Sequence, residues 1–275
     1  MESLVNYTEE QLKQRLSVTV DLLIKNKTPV VQSVAFLLGG QAGAGKTSLQ
    51  TMIDEKMKGN IIIINNDAFK PLHPNYKRLA KKYGKEVTKL VTPFSSRMTE
   101  ELIDELSKRR YNLVIEGTLR TIDTPKATAK FLQKRGYKTN LYVIAVPKQL
   151  SYVGTLTRFE DMFQLNPLAA RETPKSIHDE MIDKLPLNLD ELFENKIFAE
   201  IHVFTRAKEH MYSSLTQIKS PRAVLESKLH EVVESTRLDA YIARLFLKMQ
   251  ENGHDIDGIK ETILRHLKEY EAIKQ

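Results

Sequence analysis

The chain has 275 residues, and 41% of them are hydrophobic, which suffices to bury one substantial core with an appendage or two small domains. It contains no cysteine, so disulfide frameworks, thiolate metal sites and thiol nucleophiles are excluded. The net charge of +7 favours polyanionic partners, among them nucleotides, phosphorylated sugars, nucleic acid and acidic proteins. The first residues do not resemble a secretory signal, and no segment approaches the about 20 apolar residues needed to cross a bilayer, so we expect a soluble, intracellular protein with no membrane partner.

The predicted elements begin with an amphipathic helix. Thr8 and Gln11 have the spacing of a capping box, and apolar residues then recur at helical spacing to about Lys25. An apolar run over 33–38 enters a glycine-rich turn, as a buried strand does. Four further runs are predicted as strands, at 60–64, 112–115, 140–146 and 200–204. Because helical stretches separate them, we predict an α/β fold with a mostly parallel sheet and helices on both faces.

The glycine-rich turn after the first strand matches the P-loop pattern in both sequence and context. Its glycines let backbone N–H groups approach phosphate oxygens, Lys46 would reach the β- and γ-phosphates, and the Thr47 hydroxyl would hold Mg²⁺. The residues predicted to bind the nucleotide are Gly40, Gln41, Ala42, Gly43, Ala44, Gly45, Lys46 and Thr47. The sequence therefore predicts a P-loop kinase fold whose phosphoryl donor is a nucleoside triphosphate.

Two carboxylates follow neighbouring predicted strands. Asp67 ends the second strand region and Glu116 ends the third, so both belong at the sheet edge beside the P-loop. A phosphoryl acceptor needs a carboxylate to take its proton, and either residue would serve while the other orients substrate or Mg²⁺-bound water. The alternative for each is a cap on the next helix. Thr118 and Arg120 would overhang the same cleft, unless Arg120 is a plain surface residue.

A helical lid with two arginines is predicted over about 148–185. Arg158 and Arg171 lie thirteen residues apart, and Asn166 and Pro167 break the helix between them, so both side chains would converge on one phosphate. The alternative is that each is a solvated partner in a surface ion pair. Beyond about residue 216 two apolar stripes predict a helical C-terminal appendage to a core over about 1–215, all within a single domain.

Taken together, these motifs resemble the zeta toxin family of bacterial toxin–antitoxin systems, over about Val5 to Ser214. The resemblance is carried by the stretches Phe36–Thr47, Arg97–Glu100, Tyr111–Thr118 and Ala170–Lys175. Zeta toxins are kinases that use ATP or GTP to phosphorylate the 3′-hydroxyl of the amino sugar in UDP-N-acetylglucosamine, which blocks cell-wall precursor synthesis. The resemblance also implies Mg²⁺, a location in the bacterial cytoplasm, and a small helical, epsilon-like antitoxin that obstructs the nucleotide site, often within a heterotetramer.

The resemblance also implies roles for individual residues. Asp67 would be the base, while Lys46, Arg158 and Arg171 would bind the transferring phosphate. The residues implied to contact the UDP-sugar are Glu100, Glu116, Thr118, Arg120 and Thr128. Of these, Glu100 and Thr128 rest on the resemblance alone, because their predicted helices single out neither.

Two other functions are open at this point. One is a related kinase of another small hydroxyl compound, such as an antibiotic or a nucleoside, because a P-loop and a base do not specify the acceptor. The other is a nucleotide-gated protein that binds nucleic acid through a basic stretch, for which a solvated helix face is the simpler explanation. The cations of that stretch are Lys70, Lys77, Arg78, Lys81, Lys82, Lys85 and Lys89. No aromatic ladder accompanies them, which disfavours nucleic acid.

Overall fold

A six-stranded sheet in the order β2-β3-β1-β4-β5-β6 forms the centre of the computed structural model, which describes residues 2–168 and 170–272. The first five strands run parallel, and β6 pairs antiparallel with β5. The strands are β1 (Val34–Gly39), β2 (Ile62–Ile64), β3 (Leu113–Ile115), β4 (Lys138–Ala145), β5 (Glu200–Thr205) and β6 (His210–Ser213). The predicted mostly parallel α/β fold is therefore confirmed.

Helices cover both faces of this sheet. Those before β4 are α1 (Glu2–Val5), α2 (Glu9–Leu23), α3 (Thr47–Lys56), α4 (Asn66–Phe69), α5 (Tyr76–Tyr83), α6 (Val87–Lys108) and α7 (Asp123–Lys134). The later ones are α8 (Lys148–Leu165), α9 (Lys175–Glu194), α10 (Arg222–Leu229), α11 (Ser235–Glu251) and α12 (Ile256–Ala272). Within the described ranges, no helix combines the length and apolar character that crossing a bilayer requires.

Most predicted elements are present with shifted ends. The capping box at Thr8 forms, and α2 begins directly after it. The strand β6 was not predicted. It has only four residues, lies at the edge of the sheet and begins with the exposed His210. Its sequence therefore lacks the apolar pattern that would distinguish a strand from a loop. The basic stretch is also not one helix, because turns of 3₁₀ type at Lys70–Leu72 and Gly84–Glu86 interrupt it.

Each face of the sheet has its own apolar core. One core takes buried residues from α2, α6, α7, α9 and α10, and it includes Leu12 of the first helix. The other takes them from α3, α8, α11 and α12, and it includes Ala44 of the P-loop. Helices α11 and α12 therefore pack over the same face of the sheet as the P-loop helix α3, whereas α10 packs over the other face. The division into core and appendage near residue 215 stays a prediction.

The phosphate-binding loop packs backbone to backbone against α8. Gly43 has a φ of +71°, and a Cβ there would lie 2.0 Å from the Ser151 carbonyl oxygen. On the facing helix, a Cβ on Gly154 would lie 2.4 Å from the Gly43 carbonyl oxygen. Only two glycines permit this approach, so the loop and α8 are fixed against each other at a point where neither has a side chain.

This contact predicts a stability difference between two glycine-to-alanine variants in helices. Alanine is favoured over glycine in a helix by about 1 kcal/mol. Gly154→Ala should nevertheless destabilise the protein by about 1–3 kcal/mol, since its methyl group overlaps immovable backbone. Gly258→Ala is the control, because its nearest atom would lie 3.8 Å away, and it should be neutral or stabilising. Urea denaturation measures both, and equal stability of the two variants would contradict the close contact.

Candidate active site

A cleft of about 500 Å³ opens at the carboxyl end of the parallel strands. Loops after β1, β2 and β3 form its floor and wall, and the segment joining α8 to α9 covers it. Eight of the predicted site residues line it, namely Ala42, Lys46, Asp67, Glu116, Thr118, Arg120, Arg158 and Arg171. Its volume lies in the range typical of small-molecule sites. The polar residues chosen from separate motifs therefore share one cavity.

Asp67 lies at the centre of a group of cations. It stands in the first turn of α4, whose N-terminus is capped by the Asn65 side chain, so Asp67 itself is not the cap. Arg171 forms an ion pair with one carboxylate oxygen, Lys70 approaches the same oxygen at 2.9 Å, and Arg158 lies 3.5 Å from the other. Two lid arginines thus converge, as their separation by a helix break predicted.

These cations control the charge of Asp67. Burial on its own would raise the pKa of Asp67, but the hydrogen bond and charge of Arg171, together with Lys70, outweigh it and lower the pKa well below the ordinary value. Asp67 is therefore ionised throughout the neutral range. Because it is negative, it holds three positive side chains close together in one cleft.

Lys46 projects from the P-loop into the same cleft. Its ammonium group donates to the carbonyl oxygen of Gly40 at 3.0 Å and lies 3.4 Å from that of Gln41. Burial lowers the pKa of Lys46. The negative charge of Glu116 raises this pKa, and the positive charge of Arg158 lowers it further. The local field around this lysine favours an added negative group, which is what a phosphate supplies.

Glu116 is held in place by two amide side chains. Its Oε2 accepts hydrogen bonds from Gln50 Nε2 at 2.9 Å and Asn65 Nδ2 at 2.6 Å. Gln50 belongs to the P-loop helix and Asn65 caps the helix that carries Asp67, so Glu116 connects these two helices. The alternative that Glu116 caps a helix is not what the structure shows, because it lies in the loop between β3 and α7.

Besides the P-loop glycines, Gln41 and Ala44, three predicted site residues lie outside the cleft lining. Glu100 is exposed on α6, Thr128 is half-buried on α7, and Thr47 is exposed at the start of α3. Thr47 follows Lys46 directly, so its hydroxyl remains beside the phosphate loop. The structure does not bring Glu100 or Thr128 to the cavity, and their contacts with a substrate stay predictions.

Two polar residues in or beside the site, Lys70 and Arg206, were not predicted from the sequence. Lys70 was counted with a solvated basic face, yet its side chain is only 12% exposed and pairs with Asp67. Arg206, which follows β5, donates through its guanidinium to the carbonyl oxygens of Gly43 and Ala44. The carbonyl oxygen of Gly43 therefore accepts a hydrogen bond from Arg206, and the backbone of Gly43 packs against Gly154. The short spacing Asp67–Lys70 on a helical turn is the one signal that the sequence offered.

The P-loop after a central strand of a mostly parallel sheet, with helices on both faces, defines a P-loop kinase fold. Residues 20–217 match the family model described as zeta toxin. Toxin zeta of Streptococcus pyogenes is 46% identical over 255 residues, which cover 92% of this chain and 89% of the relative. Toxin PezT of Streptococcus pneumoniae serotype 4 is 40% identical over 224 residues, which cover 82% and 88%. The chain belongs to the zeta toxin family.

Solved structures agree with this assignment. A chain of the PezAT chromosomal toxin–antitoxin system of Streptococcus pneumoniae matches with a TM-score of 0.81 and 34% identity, over 92% of this chain and 99% of that one. The complex of AvrRxo1-ORF1 and AvrRxo1-ORF2 with ATP matches with a TM-score of 0.56 and 18% identity, over 89% and 83%. The second likeness shows a shared fold alone.

The charge balance at Asp67 gives a prediction for two arginine variants. Arg171→Met should raise the pKa of Asp67 toward the ordinary carboxyl value, because the ionised form loses its nearest cation. Arg120→Met is the control, since Arg120 lines the same cleft but forms no ion pair with Asp67 in the described part of the chain. Carboxyl ¹³C NMR measures both. The same change in the two variants would contradict a specific pair.

The sign of the accompanying effect on stability follows from the lowered pKa. The pair stabilises the folded state above the ordinary carboxyl pKa of about 4, and this contribution is lost as the pH falls toward the lowered pKa of the folded state. Arg171→Met should therefore narrow the difference in unfolding free energy between neutral and strongly acidic pH.

Proposed function

We propose that this chain transfers the γ-phosphate of ATP or GTP to the 3′-hydroxyl of the amino sugar of UDP-N-acetylglucosamine. The observation that carries the proposal is the cleft itself, where a P-loop lysine, an ionised aspartate and two lid arginines meet. Phosphoryl transfer needs positioning and positive charge on the moving group, together with a carboxylate for the acceptor proton. Membership of the zeta toxin family supports this acceptor.

Asp67 would accept the proton of the acceptor hydroxyl as the oxygen attacks the γ-phosphorus. Its ionised state provides the required acceptor, and its position at the carboxyl end of β2 places it across the cleft from the P-loop. The same arginines that pair with Asp67 here would contact the γ-phosphate in the complex. Their movement toward the phosphate would leave Asp67 less strongly paired and so a better base.

The donor side is built from the P-loop. Lys46 would contact the β- and γ-phosphates, and the exposed Thr47 hydroxyl is an oxygen ligand of the kind that Mg²⁺ accepts alongside phosphate oxygens. When bound, Mg²⁺ offsets negative charge on the phosphates. Glu116, which lies beside Lys46 and is fixed by Gln50 and Asn65, would keep the loop helix aligned with the acceptor.

The acceptor side contains a carboxylate, a hydroxyl and a guanidinium. Glu116, Thr118 and Arg120 lie in succession along the loop after β3 and line the cleft together. A sugar hydroxyl can form hydrogen bonds with the carboxylate of Glu116 and the hydroxyl of Thr118. The guanidinium of Arg120 can pair with the diphosphate of a UDP-sugar. A kinase of another small hydroxyl compound would use the same donor site with different contacts here.

The biological role that we propose is growth inhibition through loss of peptidoglycan precursors in the bacterial cytoplasm. A small helical antitoxin would neutralise the toxin by binding over the nucleotide site. Similarity to a chain of the PezAT toxin–antitoxin system supports such a partner.

The test is mass spectrometry of UDP-N-acetylglucosamine incubated with ATP, Mg²⁺ and the protein. The intact protein should add one phosphate. Asp67→Asn should lower turnover by about 10² to 10⁴ while retaining nucleotide binding, because the base acts only during transfer. Lys46→Ala should weaken nucleotide binding as well as turnover, since its contact exists before and during transfer.

Asp104→Asn provides the matched control. It removes the same charge from a carboxylate on α6 that lies outside the cleft lining and pairs with Lys108 and Arg135. This variant should retain turnover. Near-normal turnover of Asp67→Asn would refute the assignment of Asp67 as the base. A protein that binds ATP but leaves UDP-N-acetylglucosamine unchanged would refute the acceptor and direct the search to other hydroxyl compounds.

A further inference from the structure

A buried relay of hydrogen bonds connects the phosphate-binding loop to the last helix. Gln41 Nε2 donates to Ser151 Oγ at 3.2 Å, and Ser151 Oγ lies 2.9 Å from His178 Nε2. On the other side of the ring, His178 Nδ1 lies 3.1 Å from the Tyr270 hydroxyl, which donates to Asp179. We call these five side chains the relay. They come from the loop, α8, α9 and α12.

The direction of each bond in the relay follows from its two ends. The Gln41 side chain is oriented by the Val146 carbonyl oxygen, which lies 2.7 Å from Nε2 and can only accept. At the other end the Asp179 carboxylate can only accept, so the Tyr270 proton is used there. Burial, and after it Asp179, raises the pKa of Tyr270, which keeps that proton in place.

The Ser151 proton has two acceptors within reach, His178 Nε2 at 2.9 Å and the carbonyl oxygen of Lys148 at 3.0 Å. The imidazole of His178 competes with that carbonyl oxygen for the proton. Its Nδ1–H donates to Tyr270, and its Nε2 accepts from Ser151, which in turn accepts from Gln41. This is the neutral ring, in agreement with the burial that lowers the pKa of His178. In this assignment each hydrogen bond of the relay, from Gln41 Nε2 to the Asp179 carboxylate, has one donor and one acceptor, while Gln41 Oε1 has no partner within the described residues.

Because the relay is buried, loss of any one of its hydrogen bonds costs free energy. Gln41, Ser151 and His178 are completely buried, and Tyr270 is 6% exposed. A buried polar group that loses its partner has no water to replace it. Bonds in such a network orient one another, so a change at Tyr270 would first alter the orientation of the His178 ring and then that of Ser151 and Gln41.

We propose that α12 is a positioning element of the nucleotide site, and that Tyr270 and His178 hold the P-loop in its phosphate-binding conformation through Ser151 and Gln41. The inference rests on the proposed use of this loop for a nucleoside triphosphate. None of the five relay residues lines the cleft, so they act through the loop and not on the substrate.

A second contact extends the role of α12 to the lid. Lys175, the first residue of α9, pairs with Asp179 at 2.6 Å and with Glu269 of α12 at 3.3 Å. Arg171 lies four residues earlier, within the segment that joins α8 to α9. The last helix thus contacts Lys175, directly after the segment that contains Arg171, and it also reaches the P-loop through the relay.

The test compares Tyr270→Phe and Ser151→Ala, the double variant and a matched control, all in the full chain. Tyr152→Phe is the control, because its hydroxyl also joins α8 to α12, through His266 at 2.8 Å, but makes no bond to the relay in the described residues. Calorimetry with a non-hydrolysable ATP analogue and Mg²⁺ measures affinity. Hydrogen exchange of the amides at 41–47 measures order in the loop without nucleotide.

Each relay variant should weaken affinity for the analogue by about fivefold to tenfold and speed exchange at 41–47 by a similar factor. The double variant should show no more than the larger single effect, since both changes interrupt one network. KM for nucleotide should rise while KM for the acceptor stays unchanged. The control should match the intact protein in affinity and exchange, although its melting temperature falls as much as that of Tyr270→Phe.

Three results would overturn the proposal. They are unchanged affinity and exchange in Tyr270→Phe, additive effects in the double variant, and equal effects in the Tyr152→Phe control. Failure of the proposed function is separate, because it appears in the intact protein as nucleotide binding without phosphorylation of UDP-N-acetylglucosamine. The exchange measurement then still decides whether α12 orders the loop.

Discussion

The contact between Gly43 and Gly154 is the constraint on which both halves of the site depend. It brings the backbone of the phosphate-binding loop against the backbone of α8, with no side chain between them. The same helix carries Arg158, and the segment that follows it carries Arg171. One backbone contact thus sets the distance between the loop that would bind the donor phosphates and the arginines that would neutralise them. Arg206 supports the loop from the side of β5.

Charge balance is the second organising feature of the cleft. Lys70, Arg158 and Arg171 surround a single carboxylate, and Arg158 also disfavours the charge on Lys46. Asp67 therefore acts as the counter-ion that lets these cations remain close together. A bound triphosphate would supply new negative charge to the same cations. In the mechanism that we propose, substrate binding itself relieves the pairing of Asp67, so that proton acceptance follows binding of the donor.

The fold and much of the site were predictable because their signals are local. A P-loop between a buried strand and a helix has a fixed sequence, and the carboxylates after β2 and β3 share an edge in any parallel sheet. The break at Asn166 and Pro167 likewise predicted that Arg158 and Arg171 converge on one phosphate. The structure brings both side chains to Asp67, and their contact with a phosphate stays a prediction.

Other features depend on contacts between distant parts of the chain and leave no local signal. Lys70 resembled its solvated neighbours until α4 placed it beside Asp67, and the relay joins residues as far apart as Gln41 and Tyr270. The second apolar stripe beyond residue 216, which includes Tyr270, predicted a packed helix, and Tyr270 is indeed buried. The stripe could not predict that the hydroxyl of this tyrosine contacts His178, which two hydrogen bonds separate from Gln41 of the P-loop.

The most direct test of the central claim is a crystal structure of the protein with ADP, Mg²⁺, an aluminium fluoride that mimics the moving phosphoryl group, and UDP-N-acetylglucosamine. We expect an Asp67 oxygen within about 3 Å of the 3′-hydroxyl and both lid arginines on the fluoride. A complex in which the arginines remain on Asp67 and the hydroxyl lies out of hydrogen-bond reach would contradict the assignment of Asp67 as the base.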